Sequence, residues 1–152
     1  MTQRMNPYTV VPEGVAALIG VEKYLANCGL DHKLMALIKM RASQINGCTY
    51  CLHMHSDEAR KAGESDVRLF VLPGWRESDL YTARERAALA WTESLTDVAT
   101  THAPDDVYAE ARRQFSEKEL ADLSIAIAMI NAWNRLSIGM RAVHPAEHKK
   151  AA

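Results

Sequence analysis

Ser43-Gln44-Ile45-Asn46-Gly47-Cys48-Thr49-Tyr50-Cys51-Leu52-His53-Met54-His55 joins the end of one helix to the start of the next. Before it, Leu34, Leu37, Ile38, Met40 and Ile45 form a broad apolar face at helical spacing. Asn46-Gly47 breaks that pattern, and Cys48 restarts it. The two cysteines stand three apart and His55 stands four after Cys51. A helix opening at Cys48 therefore carries Cys48, Cys51 and His55 on one face. A helix start also presents unpaired N–H groups and a positive dipole end. Both favour thiolate over thiol, and the thiolate is the nucleophile. The stretch reads as a redox dithiol.

The segments on either side also have helical periodicity. Upstream, Pro12-Glu13-Gly14 opens a helix running to about residue 28, with Val15, Leu18, Ile19, Glu22 and Leu25 on one stripe and Gly29 as its stop. Asp31 caps the helix over about 32–45. The cysteine helix runs over about 48–62 and stops at Gly63. Its inner stripe is Leu52, His55, Ala59 and Ala62, and Asp57, Glu58, Arg60 and Lys61 face water. A short helix over 67–72 ends at Pro73-Gly74, with Trp75 in the following loop. Ser78 is the N-cap candidate for a helix to about 95, with Ala83, Ala87, Ala90, Trp91 and Leu95 on its buried side. Residues 100–103 read as a loop. Pro104 opens a helix over 105–114. Ser116-Glu117-Lys118-Glu119 is a capping box that starts the last helix, about 117–140. That helix is apolar nearly all round, which suits a central buried helix or an oligomer face. No segment alternates with period two. The expectation is an all-α fold, a single-domain helical bundle of roughly seven helices over 1–152. Its core lies at about 13–143, with an extended arm at 1–11 and a flexible polar tail at 144–152.

The composition restricts the function classes. A formal net charge of −1 leaves no electrostatic footprint for nucleic acid or an anionic membrane surface. No apolar run approaches the roughly 20 residues of a membrane span, and residues 1–7 lack an apolar signal core. The expected compartment is the cytoplasm. Three cysteines do not make a disulfide scaffold, and in a reducing compartment a close pair points to catalysis or metal binding. Cys28, near a helix end, reads as a small buried hydrophobe.

Within the dithiol, Cys51 is the better attacking thiol, because His55 stands one turn after it and can act as base directly or through a water. Cys48 at the helix mouth would be the exposed resolving thiol that meets a reductant. Tyr50, between the cysteines, either hydrogen-bonds near the site or packs. Three other readings of the stretch compete. A zinc site of Cys48, Cys51, His53 and His55 would crowd every ligand into one or two helical turns, with His53 pointing away. A thioredoxin-like motif would need a strand before the pair. The third is two inert core cysteines and a satisfied histidine. Trp75, Trp91 and Trp133 read as core or interface. Asn131, Asn134 and Arg135, polar within an apolar helix, require partners and read as a structural network. The Glu85-Arg86 neighbourhood reads as a solvated face.

Residues 39–55, ending in the Cys-X-X-Cys-X-X-X-His core after Gln44-Ile45-Asn46-Gly47, resemble the core motif of the alkylhydroperoxidase AhpD-like branch of the carboxymuconolactone decarboxylase superfamily. Residues 59–64, 89–93 and 130–135 resemble further segments of that branch, so the likeness covers about 13–143. It implies an all-helical fold, thiol-dependent reduction of hydroperoxides, and a homo-oligomer, either a trimer or a hexamer built from trimers. It makes Cys51 peroxidatic, Cys48 resolving and His55 part of a proton relay. No bound cofactor is implied; the expected electron source is an external dithiol of the dihydrolipoamide type, carried on a dihydrolipoyl protein partner. Lactone decarboxylation is a poor fit, because that branch lacks the cysteine pair. The sequence departs from the pattern twice. Tyr50 stands where the branch often has a histidine, and Ala36 stands where it carries a relay glutamate. Either another acid such as Glu22 replaces that glutamate, or His55 works through water, or turnover is slow. If the relay is incomplete, Ala36→Glu should raise turnover. The alternatives to a peroxidase are a low-turnover redox sensor and a protein disulfide reductase on the same fold.

Overall fold

In the computed structural model, which describes residues 2–144, helix α3 (His32–Asn46) and helix α9 (Glu117–Met140) form the frame on which the cysteine helix α4 (Thr49–Lys61) rests. The other helices are α1 (Pro7–Val10), α2 (Pro12–Leu25), α5 (Asp66–Val71), α6 (Ala83–Thr96), α7 (Val98–Thr101) and α8 (Asp105–Gln114), with a 3₁₀ helix at Leu72–Glu77. Among the described residues there is no strand, and no helix is long and apolar enough to cross a membrane. The fold is all-α.

Helix α9 touches α2, α3, α4, α6 and α8, which explains its nearly all-round apolar character. Leu123, Ala126 and Ile127 are fully buried on it, and with Leu34, Ile38, Ala88 and Trp91 they build the largest apolar cluster. Burying each such leucine or isoleucine is worth about 1.5–3 kcal/mol. A second cluster lies on the other side of α3, where Leu37, Met40, Leu69, Leu72, Trp75 and Leu89 meet. A third and smaller cluster joins Ala42, Cys48, Cys51 and Ile130. It fixes the start of α4 against α3 and α9.

Local chemistry sets the ends of the helices. Asp31 accepts the N–H of Leu34 at 3.0 Å and starts α3. Ser116 and Glu119 form the capping box expected at the head of α9. Cys28 is half-buried against the first cluster.

Five local expectations are corrected. The cap of α6 is Thr82, not Ser78, because Thr82 and Glu85 form a reciprocal capping box, whereas the Ser78 hydroxyl accepts the N–H of Leu80, ahead of the helix. Pro73 does not end the chain's helical course. It opens the 3₁₀ helix, in which Trp75 is buried and donates its indole N–H to Glu93. The loop expected at 100–103 begins inside α7, and His102 and Ala103 then turn the chain with φ of 54° and 49°. The arm at 1–11 is not wholly extended. Asn6 caps the single turn of α1, and the Arg4 N–H donates to the carbonyl of Met140, tying the arm to the end of α9. Finally, Ile19 and Ile45 are exposed rather than inward, since neither belongs to the packed face of its helix. The tail expected at 144–152 lies outside the described residues except for His144.

Candidate active site

The site begins with a change of backbone hand. Gly47 adopts φ 70°, ψ 31°, the left-handed conformation that closes α3 and that a side chain disfavours. The chain then re-enters extended geometry at Cys48 (φ −84°, ψ 94°), which becomes the N-cap of α4. A cysteine at this position uses its sulfur as a serine would use its hydroxyl: Cys48 Sγ accepts the backbone N–H of Cys51 at 3.3 Å. Cys51 sits in the first turn, and its thiol reaches Ser137 Oγ of α9 at 3.8 Å. All three cysteines are free thiols.

A buried amide network holds this junction. Asn46 Nδ2 donates to Asn131 Oδ1 and Asn134 Oδ1, both at 2.9 Å. Asn134 Nδ2 in turn donates to Ser43 Oγ at 3.1 Å, and Asn131 Nδ2 donates to Thr96 Oγ1 at 3.0 Å. Arg135 donates back to Asn131. The polar run of α9 is thus the structural network expected from sequence, and it ties α3, α6 and α9 together beside the cysteines.

The surroundings separate the two sulfurs. The hydrogen bond from the Cys51 thiol, followed by the Cys51 backbone N–H, Ser137 and Asn134, draws the Cys48 thiol down to about 6 against the opposing effect of burial. Cys51 is pushed up, first because it gives its proton to that bond and then by burial. These hydrogen bonds favour the thiolate at Cys48 over Cys51. From spacing Cys51 reads as the attacking thiol; the N-cap position gives Cys48 the hydrogen bond from the helix N–H. The expected exposure of Cys48 is corrected. Cys48 is 1% exposed, because the third apolar cluster closes over the helix mouth.

Cys51 forms part of the floor of a cleft of about 660 Å³, whose lining includes Tyr50, His55, Glu58, Glu22, Lys39, Trp133 and Ser137. Cys48 lies behind Cys51 and does not line it. Of the residues singled out from sequence, Cys51, His55 and Tyr50 meet in this cleft, with Tyr50 half-buried against the cysteine cluster. His55 is buried, and its Nδ1 lies 2.7 Å from Glu58 Oε2. That bond holds the Glu58 carboxyl below the usual carboxylate range. Glu22 also lines the cleft, but its two oxygens accept from Lys39 Nζ at 2.9 Å and Trp133 Nε1 at 3.0 Å. Ala36 packs in the second apolar cluster. His53 points away from the cleft and stacks on His144. Among the described residues no three His, Cys, Asp or Glu side chains converge on a metal site.

Glu58 and Trp133 line the cleft although their place there is not evident from the sequence. The Glu58 side chain is 51% exposed, as its helix face suggests, yet its carboxylate turns to His55. The i, i+3 spacing of the pair was the available signal. Trp133 is no simple core residue, since its indole N–H faces the cleft carboxylate. Arg86 is not merely solvated either; it donates to the carbonyls of Trp75, Arg76 and Ser78.

Residues 11–94 match the carboxymuconolactone decarboxylase family. The chain belongs to this family. The uncharacterized protein YdfG of Bacillus subtilis is 39% identical over 140 residues, which span 92% of this chain and 95% of that protein. A crystal structure from Agrobacterium tumefaciens, of a protein of unknown function considered a candidate antioxidant defence protein AhpD, superposes with a TM-score of 0.91. That protein is 42% identical, over 95% of this chain and 99% of the other. The debrominase Bmp8 shares the fold at 24% identity, with a TM-score of 0.77 over 89% of this chain and 73% of its own.

Proposed function

We propose that this protein is a thiol-dependent peroxidase that reduces organic hydroperoxides through a dithiol–disulfide cycle of Cys51 and Cys48. The observation that carries this reading is the position of Cys51. It lines the cleft beside His55, and a second sulfur, Cys48 Sγ, accepts its backbone N–H at 3.3 Å. Cys48 takes the Cys51 proton along the bond they share, leaving Cys51 as the thiolate that attacks the terminal peroxide oxygen. The O–O bond breaks with its hydroxyl passing to Cys51, which becomes a sulfenic acid, and the departing alkoxide takes a proton that His55 Nε2 has picked up from solvent in the cleft and leaves as an alcohol. The Cys48 sulfur then attacks Cys51, expelling water and forming the disulfide. An external dithiol of the dihydrolipoamide type donates the two electrons that restore the thiols. Tyr50 lines the cleft where it can contact the substrate.

The experiment is a single turnover followed by intact mass. One equivalent of an organic hydroperoxide should convert the reduced protein to a form lighter by two hydrogens, joined Cys48 to Cys51 on peptide mapping. An unchanged mass would reject the proposal. The burial of Cys48 favours one second reading, a low-turnover redox sensor, because a reductant cannot reach that sulfur directly. Formation of the disulfide without its re-reduction by dithiols would favour the sensor.

A further inference from the structure

We propose that Glu58 is the positioning residue that fixes the tautomer and orientation of His55 for its work on Cys51. The position that the family resemblance reserves for a relay glutamate is Ala36, and alanine can neither accept nor hold a proton. Glu22 is committed to Lys39 and Trp133. Glu58 is the carboxylate in contact with the histidine, at 2.7 Å from Nδ1, and both side chains line the same cleft as Cys51.

The chemistry follows from the donor inventory. An ionised carboxylate only accepts, so the Nδ1 facing it must carry hydrogen. In a neutral ring this leaves Nε2 as the acceptor, free to take a proton from the cleft and to return it to a departing alkoxide. When Nε2 takes that proton, the ring becomes a cation beside Glu58. Lys39 and Lys61 add positive charge near the carboxylate and, with His55, keep Glu58 ionised at neutral pH. The carboxylate thus lies one turn along α4 on the cysteine helix itself, rather than on the preceding helix.

The tautomer stands independently of the peroxidase reading; only its effect on turnover rests on that reading. The test uses the reduced full-length protein labelled with ¹⁵N at histidine, with long-range ¹⁵N–¹H correlation spectra of the neutral His55 ring. Wild type should show the Nδ1–H tautomer. Glu58→Leu should lose it in favour of Nε2–H, and Glu58→Gln, which keeps an acceptor oxygen, should retain it. Glu58→Leu should also slow single-turnover oxidation by cumene hydroperoxide by about tenfold or more. Glu58 is half-exposed, so neither variant threatens the fold. A wild-type Nε2–H tautomer, or a Glu58→Leu spectrum identical to wild type, would overturn the assignment. If the tautomers behave as described while wild type consumes no hydroperoxide, the Glu58 assignment stands and the peroxidase reading falls.

Discussion

Cys48 Sγ accepts the backbone N–H of Cys51, so two thiols three residues apart share one helix start while facing different surroundings. One receives the helix N–H and the neighbouring S–H, which favour its thiolate. The other meets the cleft. Both sulfurs are 1% exposed, but only Cys51 lines the cleft, and a proton moving along the short path between them leaves the thiolate on Cys51.

Thiolate absorbance in the ultraviolet tests this division. The reduced protein should lose one thiolate per chain as pH falls through about 6, well below the ordinary value of 9.0. Cys48→Ser should abolish that step, and Cys51→Ser should move it upward, since the largest stabilising partner is the Cys51 thiol. The linkage has a definite sign. A thiol with a depressed folded pKa contributes stability that is complete above its unfolded value and lost as pH falls through the folded one. The denaturant midpoint of the reduced protein, compared with Cys48→Ser, should therefore show an advantage that shrinks from pH 9 towards 6. A step that survives in Cys48→Ser would place the charge elsewhere.

Asn134 is fully buried between Asn46, Ser43 and the cysteines. Asn134→Leu removes an acceptor from Asn46 and a donor from Ser43, so urea unfolding should show a loss of about 1–3 kcal/mol. The Cys48 titration should shift upward in the same variant. Unchanged stability and an unchanged titration would mean that the network does not support the site.

Ala36→Glu bears directly on the missing relay residue. Ala36 is 5% exposed among Leu37, Met40, Ala59, Leu69 and Leu72. A carboxylate introduced there has apolar neighbours, and an unpaired buried charge costs several kcal/mol. Thermal unfolding should show a clear fall in Tm, with no gain in turnover. A variant that keeps its Tm and turns over faster would show that the glutamate position is still served by this fold.

Periodicity and end chemistry made most of the fold legible. Seven expected helices correspond to α2, α3, α4, α5, α6, α8 and α9, because apolar spacing, Asp31, Gly47 and the Ser116 box are local signals. The turns at α1 and α7 were missed because each is too short to show a period. Thr82 was overlooked in favour of Ser78 because both precede the same helix, and only the reciprocal bond with Glu85 separates them. At the site, the spacing of Cys48, Cys51 and His55 was readable. The burial of Cys48 was not, because Ala42 and Ile130 come from other helices and close over it only once α4 packs on α9. Glu58 escaped for a related reason. A carboxylate on a charged helix face looks solvated until the neighbouring histidine turns inward.

Steady-state consumption of cumene hydroperoxide with excess dihydrolipoamide, comparing wild type with Cys51→Ser, tests the central claim most directly. Sustained consumption by wild type and its loss in Cys51→Ser is the expected result. Undiminished consumption by Cys51→Ser, or no hydroperoxide consumed by reduced wild type, would contradict it.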